Sequence, residues 1–250
     1  MGQEVVKAVC QEPATQLAGA VEVEVDGNSL NLPGSTQTVP LSSDLDYILT
    51  SCQPDVMVDF TVAPAVMTAV SAAAKHGVNL VIGTTGLGAD ALSEIERLAT
   101  AHKIGVVVAP NFALGAILMI HLAKIAARYL DYAEIIELHH ERKVDAPSGT
   151  ALATARAMAA ARGKAFIQPG AKEKELVSRG QQVEGVAVHS VRLPGLLAHQ
   201  EVLLGGPGQT LTIRHDTISR ECFMPGVILA IKEVVNRKGL VYGLDSLLGL

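Results

Sequence analysis

The stretch VMVDFTVAPAVMTAVSAAAKHGVNLVIGTTG, residues 56–86, decides the fold. Val56-Met57-Val58-Asp59-Phe60 is a short apolar run of the kind buried on both faces of a parallel sheet. Pro64 to His76 reads as an Ala-rich helix ended by Gly77, and Asn79-Leu80-Val81-Ile82 as the next strand. Gly83-Thr84-Thr85-Gly86 is the turn after it. The rhythm continues with a helix from Ala89 to His102 and a strand from Ile104 to Ala109, closed by Pro110-Asn111. Strand, turn, helix and strand in this order predict an α/β chain with a Rossmann-like, doubly wound parallel sheet. Right-handed crossovers then put the turns that follow the strands along one edge, where ligands bind.

Upstream, residues 3–12 read as a helix with Val5, Val6 and Val9 on one face. Leu17 to Val25 is strand-like, Asn28 to Ser43 a Gly/Pro-marked loop, and Asp44 to Ser51 a short helix. Downstream the character changes. Leu114 to Tyr132 reads as one long helix. Glu134 to His140, Gly185 to Arg192, His199 to Leu204 and Thr210 to His215 read as strands, the last two joined by the turn Gly205-Gly206-Pro207-Gly208. This predicts a second, α+β domain with a mixed or antiparallel sheet. Pro225 to Asn236 is helical again. The expected division is a nucleotide-binding domain over 1–112, a substrate-binding and oligomerisation domain over 113–221, and a segment 222–250 that returns to the first domain.

Composition excludes several classes. With 250 residues there is length for a sizeable core; 49% are apolar and 18% charged, an ordinary globular balance. A net charge of −5 and only 3% aromatic residues argue against nucleic acid as a partner. No run approaches the ~20 apolar residues of a membrane span, so no membrane association is expected. Cys10, Cys52 and Cys222 have no paired spacing and suit a reducing cytoplasm.

The chemistry concentrates in EIIELHHERKVDAPSGTA, residues 134–151. It reads as a strand, a charged loop, and a helix that begins near Ser148 behind Pro147. Gly149 lets backbone approach a ligand and Thr150 adds a hydroxyl. The N–H groups and positive dipole end of such a helix start suit a carboxylate. Lys143 adds a full positive charge, and His139 and His140 offer imidazole as acid or anion ligand. Adjacent strand residues point to opposite faces, so the two histidines are not expected to chelate one metal ion.

This segment resembles the 4-hydroxy-tetrahydrodipicolinate (dihydrodipicolinate) reductase family. Its motif fixes two glutamates, a His-His pair, Lys, Asp and Pro-Ser-Gly-Thr-Ala, and Glu134 to Ala151 match every fixed position. The likeness runs on through Asp59-Phe60-Thr61, Gly83-Thr84-Thr85-Gly86 and Pro110-Asn111-Phe112 to the C-terminal helix. It implies NADH or NADPH as cofactor and reduction of a cyclic dicarboxylate in the diaminopimelate route to lysine. It makes His139 the proton donor and acceptor and Lys143 a second proton donor. His140, Ser148, Gly149 and Thr150 would bind substrate. Gly83, Thr84 and Thr85, with Ala109, Pro110, Asn111 and Phe112, would line the nicotinamide, and Glu22 would accept from the adenosine ribose. Family members are tetramers joined through the substrate-domain sheets, so a homotetramer is implied.

Two departures stand out. The family opens on a strand and a Gly-x-x-Gly-x-x-Gly loop, whereas this sequence starts at Met1-Gly2, where that loop ends. The expectation is a start assigned at an internal Met, with weakened cofactor binding in the 250-residue form; the second reading is a catalytically impaired relative that acts as a binding protein. Val23 follows Glu22 where some members have an Arg suited to the 2′-phosphate of NADPH, which leans towards NADH.

Overall fold

A computed structural model describes residues 1–168 and 177–250. Two units result, one formed by 1–114 and 220–250, the other by 115–219. The boundaries read from sequence fell at 112/113 and 221/222.

The first unit runs α1 (Gly2–Gln11), β1 (Ala20–Val21), β2 (Ser29–Asn31), β3 (Thr38–Ser42), α2 (Leu45–Cys52), β4 (Val56–Asp59), α3 (Ala63–Lys75), β5 (Asn79–Ile82), α4 (Ala89–His102) and β6 (Gly105–Val108). It closes with α7 (Met224–Val234), β12 (Gly239–Tyr242) and α8 (Asp245–Leu248). Four strands form a parallel sheet in the order β12-β6-β5-β4. Its two faces follow from strand alternation. Leu80, Ile82, Val106 and Val108 pack with Val66, Val70, Ile95 and Ala99 of α3 and α4, while α7 covers the opposite face and packs on α1. Asp59, Ile82 and Val108 end their strands in register, so the turns after β4, β5 and β6 share one edge.

Several elements differ from the sequence reading. Of the strand expected over Leu17–Val25 only Ala20 and Val21 pair, both with β3. Beyond Glu22 the chain has no ladder partner, and Val23 is exposed. The expected loop at 28–43 contains an antiparallel pair, β2 with β3. Its Gly and Pro residues make the connecting turn, closed by Leu32 N–H to Gln37 O at 3.0 Å with Gly34 at φ +69°. These three short strands form their own sheet, in the order β1-β3-β2. β12 was not expected; it is four residues long and takes its place only by pairing with β6.

The second unit runs α5 (Leu114–Ala126, whose first residue falls in the first unit), β7 (Tyr132–His139), α6 (Gly149–Arg162), β8 (Gln181–Val183), β9 (Val186–Arg192), β10 (Ala198–Gly206) and β11 (Gln209–Thr217). The sheet order is β11-β10-β7-β9-β8, with β7 and β9 parallel and the other pairs antiparallel. α5 is shorter than the helix expected to Tyr132. The Arg162 guanidinium takes the carbonyls of Ala127 at 2.9 Å and Leu130 at 2.7 Å, so those groups are satisfied without another turn of helix. Ala133, Ile135, Val188, Val202 and Leu204 form the sheet side of the core, closed by Met119 and Ala123 of α5 and Ala151, Ala155 and Met158 of α6. None of the helices in the described residues is long and apolar enough to cross a membrane.

Candidate active site

In the first unit, the residues expected to line a cofactor occupy the strand-end edge. Gly83 follows β5, and its N–H donates to Asp59 O at 2.8 Å. A Cβ at Gly83 would lie 2.1 Å from the Phe60 ring, so any side chain there would have to displace that ring. Phe60 in turn stacks tilted on Phe112, with centroids 5.6 Å apart. Thr84 is buried and gives its hydroxyl to Asp59 Oδ1 at 2.8 Å, whereas Thr85 is exposed. The same Asp59 oxygen accepts from the N–H and hydroxyl of Thr61, at 2.9 and 2.8 Å. Ala109 and Phe112 are buried, Pro110 is exposed, and Asn111 Oδ1 accepts from Ala113 N–H at 2.9 Å. Glu22 is exposed at the end of β1 and accepts from Val23 N–H at 2.9 Å.

In the second unit, the charged segment lies between β7 and α6. Strand alternation puts Ala133, Ile135, Glu137 and His139 on the inward face of β7. Glu137 is fully buried. Its Oε2 meets His139 Nδ1 at 2.5 Å and accepts from Arg192 Nη1 at 2.9 Å; its Oε1 accepts from Arg192 Nη2 at 2.8 Å and Ser148 N–H at 3.1 Å. Burial pushes this carboxyl up, but the hydrogen bonds of His139, Arg192 and Ser190 more than offset it and hold it at about 2. It is therefore a permanent carboxylate at neutral pH.

Beyond β7 the chain turns, closed by Lys143 N–H to His140 O at 3.1 Å. Lys143 Nζ lies 2.8 Å from both carboxylate oxygens of Asp145, whose pKa this ammonium lowers. His140 is half-buried, and its Nδ1 is buried with no hydrogen-bond partner among the described residues. Ser148 caps α6, its hydroxyl accepting from Ala151 N–H at 3.2 Å. Gly149 and Thr150 form the first helical positions. The space over Gly149 is open, so a small acid can reach the backbone donors of this helix start.

Residues 1–112 match the family model described as dihydrodipicolinate reductase, N-terminus, and residues 115–248 the one described as its C-terminus. The chain belongs to the dihydrodipicolinate reductase family. A 4-hydroxy-tetrahydrodipicolinate reductase of Dehalococcoides mccartyi (strain BAV1) is 59% identical over 250 residues, covering all of this chain and 95% of the relative. One from Moorella thermoacetica is 53% identical, covering 99% and 94%. Among solved structures, a dipicolinate-bound dihydrodipicolinate reductase from Paenisporosarcina sp. TG-14 superposes with a TM-score of 0.85 at 41% identity, over 98% of this chain and 94% of that one. An amine dehydrogenase from Mycobacterium smegmatis reaches a TM-score of 0.67 at 16% identity, over 97% and 92%; that likeness shows the shared fold alone. Nothing in these matches favours the binding-protein reading over a reductase.

Some residues that organise this reductase-family site had no role in the sequence reading. Arg192 is one: besides Glu137 it holds the carbonyls of Asp145 at 2.7 Å and Lys143 at 3.3 Å. It is 49 residues from Lys143 in sequence, and no local pattern announces it. Glu137 did leave a signal, since a carboxylate at an inward strand position needs a specific partner.

Proposed function

We propose that this chain reduces 4-hydroxy-tetrahydrodipicolinate to tetrahydrodipicolinate with NADH or NADPH, in the diaminopimelate route to lysine. The observation that carries the reading is the 137–150 segment, which sets an imidazole, an ammonium and an open helix start within one strand, loop and helix. The 59% identity to a protein named for this reaction supports the substrate.

The residues of the first unit fit a nicotinamide dinucleotide. A side chain at Gly83 would displace the Phe60 ring, Asp59 holds Thr84 in place, and the exposed Glu22 is an acceptor for ribose hydroxyls. Gly83, Thr84 and Thr85 with Ala109, Pro110, Asn111 and Phe112 would hold it. When bound, the cofactor supplies the hydride. The overall change needs that hydride, one proton, and departure of the 4-hydroxyl as water.

The second unit binds the acid and moves the proton. The N–H groups of Gly149 and Thr150, with the Thr150 hydroxyl, take one substrate carboxylate, and Ser148 shapes the turn that presents them. His140 and Lys143 orient the ring. His139 donates the proton and Lys143 is the second donor. The sheet face away from the helices carries Ile136, Leu138, Val191 and Leu203, half-buried; apolar groups there suit assembly into a homotetramer. Cys10, Cys52 and Cys222 as thiols suit the cytoplasm.

The test is loss of NAD(P)H absorbance on adding freshly made substrate. His139→Ala and Lys143→Ala should each lower kcat by about 10²–10⁴-fold, the usual worth of a general acid. A 250-residue chain that oxidises neither cofactor overturns the proposal, and so do variants that keep the full rate.

A further inference from the structure

We propose that Glu137 is a positioning residue: its buried carboxylate fixes His139 as the Nδ1–H tautomer and ties that ring to the start of the anion-binding helix. This rests on the reading of His139 as proton donor.

The geometry leaves little freedom. A carboxylate offers about four acceptor positions, and both oxygens are engaged, with the Ser190 hydroxyl a further donor beside the four contacts that follow. Oε1 takes Ser148 N–H and Arg192 Nη2, while Oε2 takes Arg192 Nη1 and His139 Nδ1. Arg192 and the peptide N–H can only donate, and an ionised carboxylate can only accept. The His139–Glu137 contact therefore requires the proton on Nδ1. Nε2 is left as the nitrogen that serves substrate. A proton delivered to substrate comes from Nε2 of the imidazolium, and the ring relaxes to the neutral Nδ1–H form. Reprotonation at Nε2 then restores the donor without a ring flip or tautomer exchange.

The alternative, an ion pair that only stabilises the fold, does not account for the arrangement. Buried pairs are often no more stabilising than apolar side chains of the same volume. Here the pair also joins three parts of the site. Glu137 holds His139 and the Ser148 peptide, and Arg192 holds the carbonyls of Lys143 and Asp145. Carboxylates that orient a catalytic imidazole in this way act on tautomer and direction without themselves exchanging protons.

The primary experiment uses the unaltered 250-residue chain with ¹⁵N-labelled histidine. Ring nitrogen shifts are recorded at a pH where His139 is neutral, and the signal is assigned by its loss in His139→Gln. An Nδ1–H, Nε2-bare pattern is expected; an Nε2–H ring in the unaltered chain overturns the proposal. In Glu137→Gln, the amide oxygen in the Oε1 place keeps Arg192 Nη2 and Ser148 N–H, while the NH₂ group in the Oε2 place gives up Arg192 Nη1 and turns to His139. The tautomer should then invert to Nε2–H. kcat should fall by about 10²–10⁴-fold while KM for substrate stays near its starting value, because the helix start keeps its acceptor. Glu137→Asp, which keeps the charge, should retain the Nδ1–H tautomer and recover part of kcat. A Glu137→Gln enzyme with the original tautomer and full kcat refutes the proposal. The tautomer is read without turnover, so it stands or falls separately from the assignment of the substrate.

Discussion

Replacing Arg192 by Met removes a half-buried guanidinium and keeps much of its packing volume. What remains is a fully buried Glu137 carboxylate that has lost its two shortest N–H donors, at 2.8 and 2.9 Å, apart from the contact with His139. Removing one partner of a buried ion pair costs about 3–5 kcal/mol. The carboxyl gives a second measure. Its descent from an ordinary 4.5 to about 2 corresponds to about 3 kcal/mol of stability. The folded value is depressed, so this contribution is complete above about 4.5 and is lost as the pH falls through about 2. Most of it depends on the hydrogen bonds from His139 and Arg192. Urea unfolding of both chains, followed by far-UV circular dichroism, should move the midpoint of Arg192→Met down by more than about 1 M at pH 7. Between pH 4.5 and 2 the unaltered chain should lose stability steeply, and the variant more gently because its carboxyl is no longer held so low. A midpoint within about 0.3 M of the unaltered chain, with the same acid limb, would show that Arg192 does not hold the Glu137 carboxylate.

Two further substitutions test the first unit. Gly226→Ala replaces a poor helix former in α7 and would gain about 1 kcal/mol from propensity alone. The added Cβ would lie 2.1 Å from Phe112 O and 2.9 Å from Leu244 Cδ2; the overpacking, about 1–3 kcal/mol, should win. Lower thermal stability is expected, together with weaker NADH binding by fluorescence because the 109–112 turn is displaced, and a stabilised variant would contradict the packing. Asp59→Ala strips the acceptor from Thr61 N–H, Thr61 Oγ1 and the buried Thr84 hydroxyl. A cost of about 2–4 kcal/mol is expected in urea unfolding, with Asp59→Asn recovering most of it by keeping Oδ1; equal losses in the two would show that charge, not acceptance, is what matters there.

The sequence by itself determined the elements whose cause is local. The apolar runs at 79–82 and 104–109 are buried strands because their side chains have nowhere else to go, whereas the run at 56–60, expected to be buried on both faces, forms the edge strand β4 with Val56, Met57 and Val58 only half-buried; the helices between them follow from composition and period. Ser148 is a cap because its hydroxyl reaches a peptide N–H three residues on. The histidines, Lys143 and Gly149-Thr150 were legible as a group because they lie within twelve residues of one another. Tertiary structure decided what depends on distant partners. Whether Leu17–Val25 extends as a strand is set by β3, which pairs with only two of its residues. The fate of Gly239–Tyr242 is set by the free edge of β6. The end of α5 is set by Arg162 of another helix, which takes the carbonyls of Ala127 and Leu130 in the turn just beyond it. The site shows the same division. Sequence placed the two histidines and Lys143. Only the pairing of β7 with β9, which sets His139 beside Arg192, brought a guanidinium to Glu137. A buried carboxylate has to find its counter-charge across the sheet, and that is a matter of register rather than of spacing along the chain.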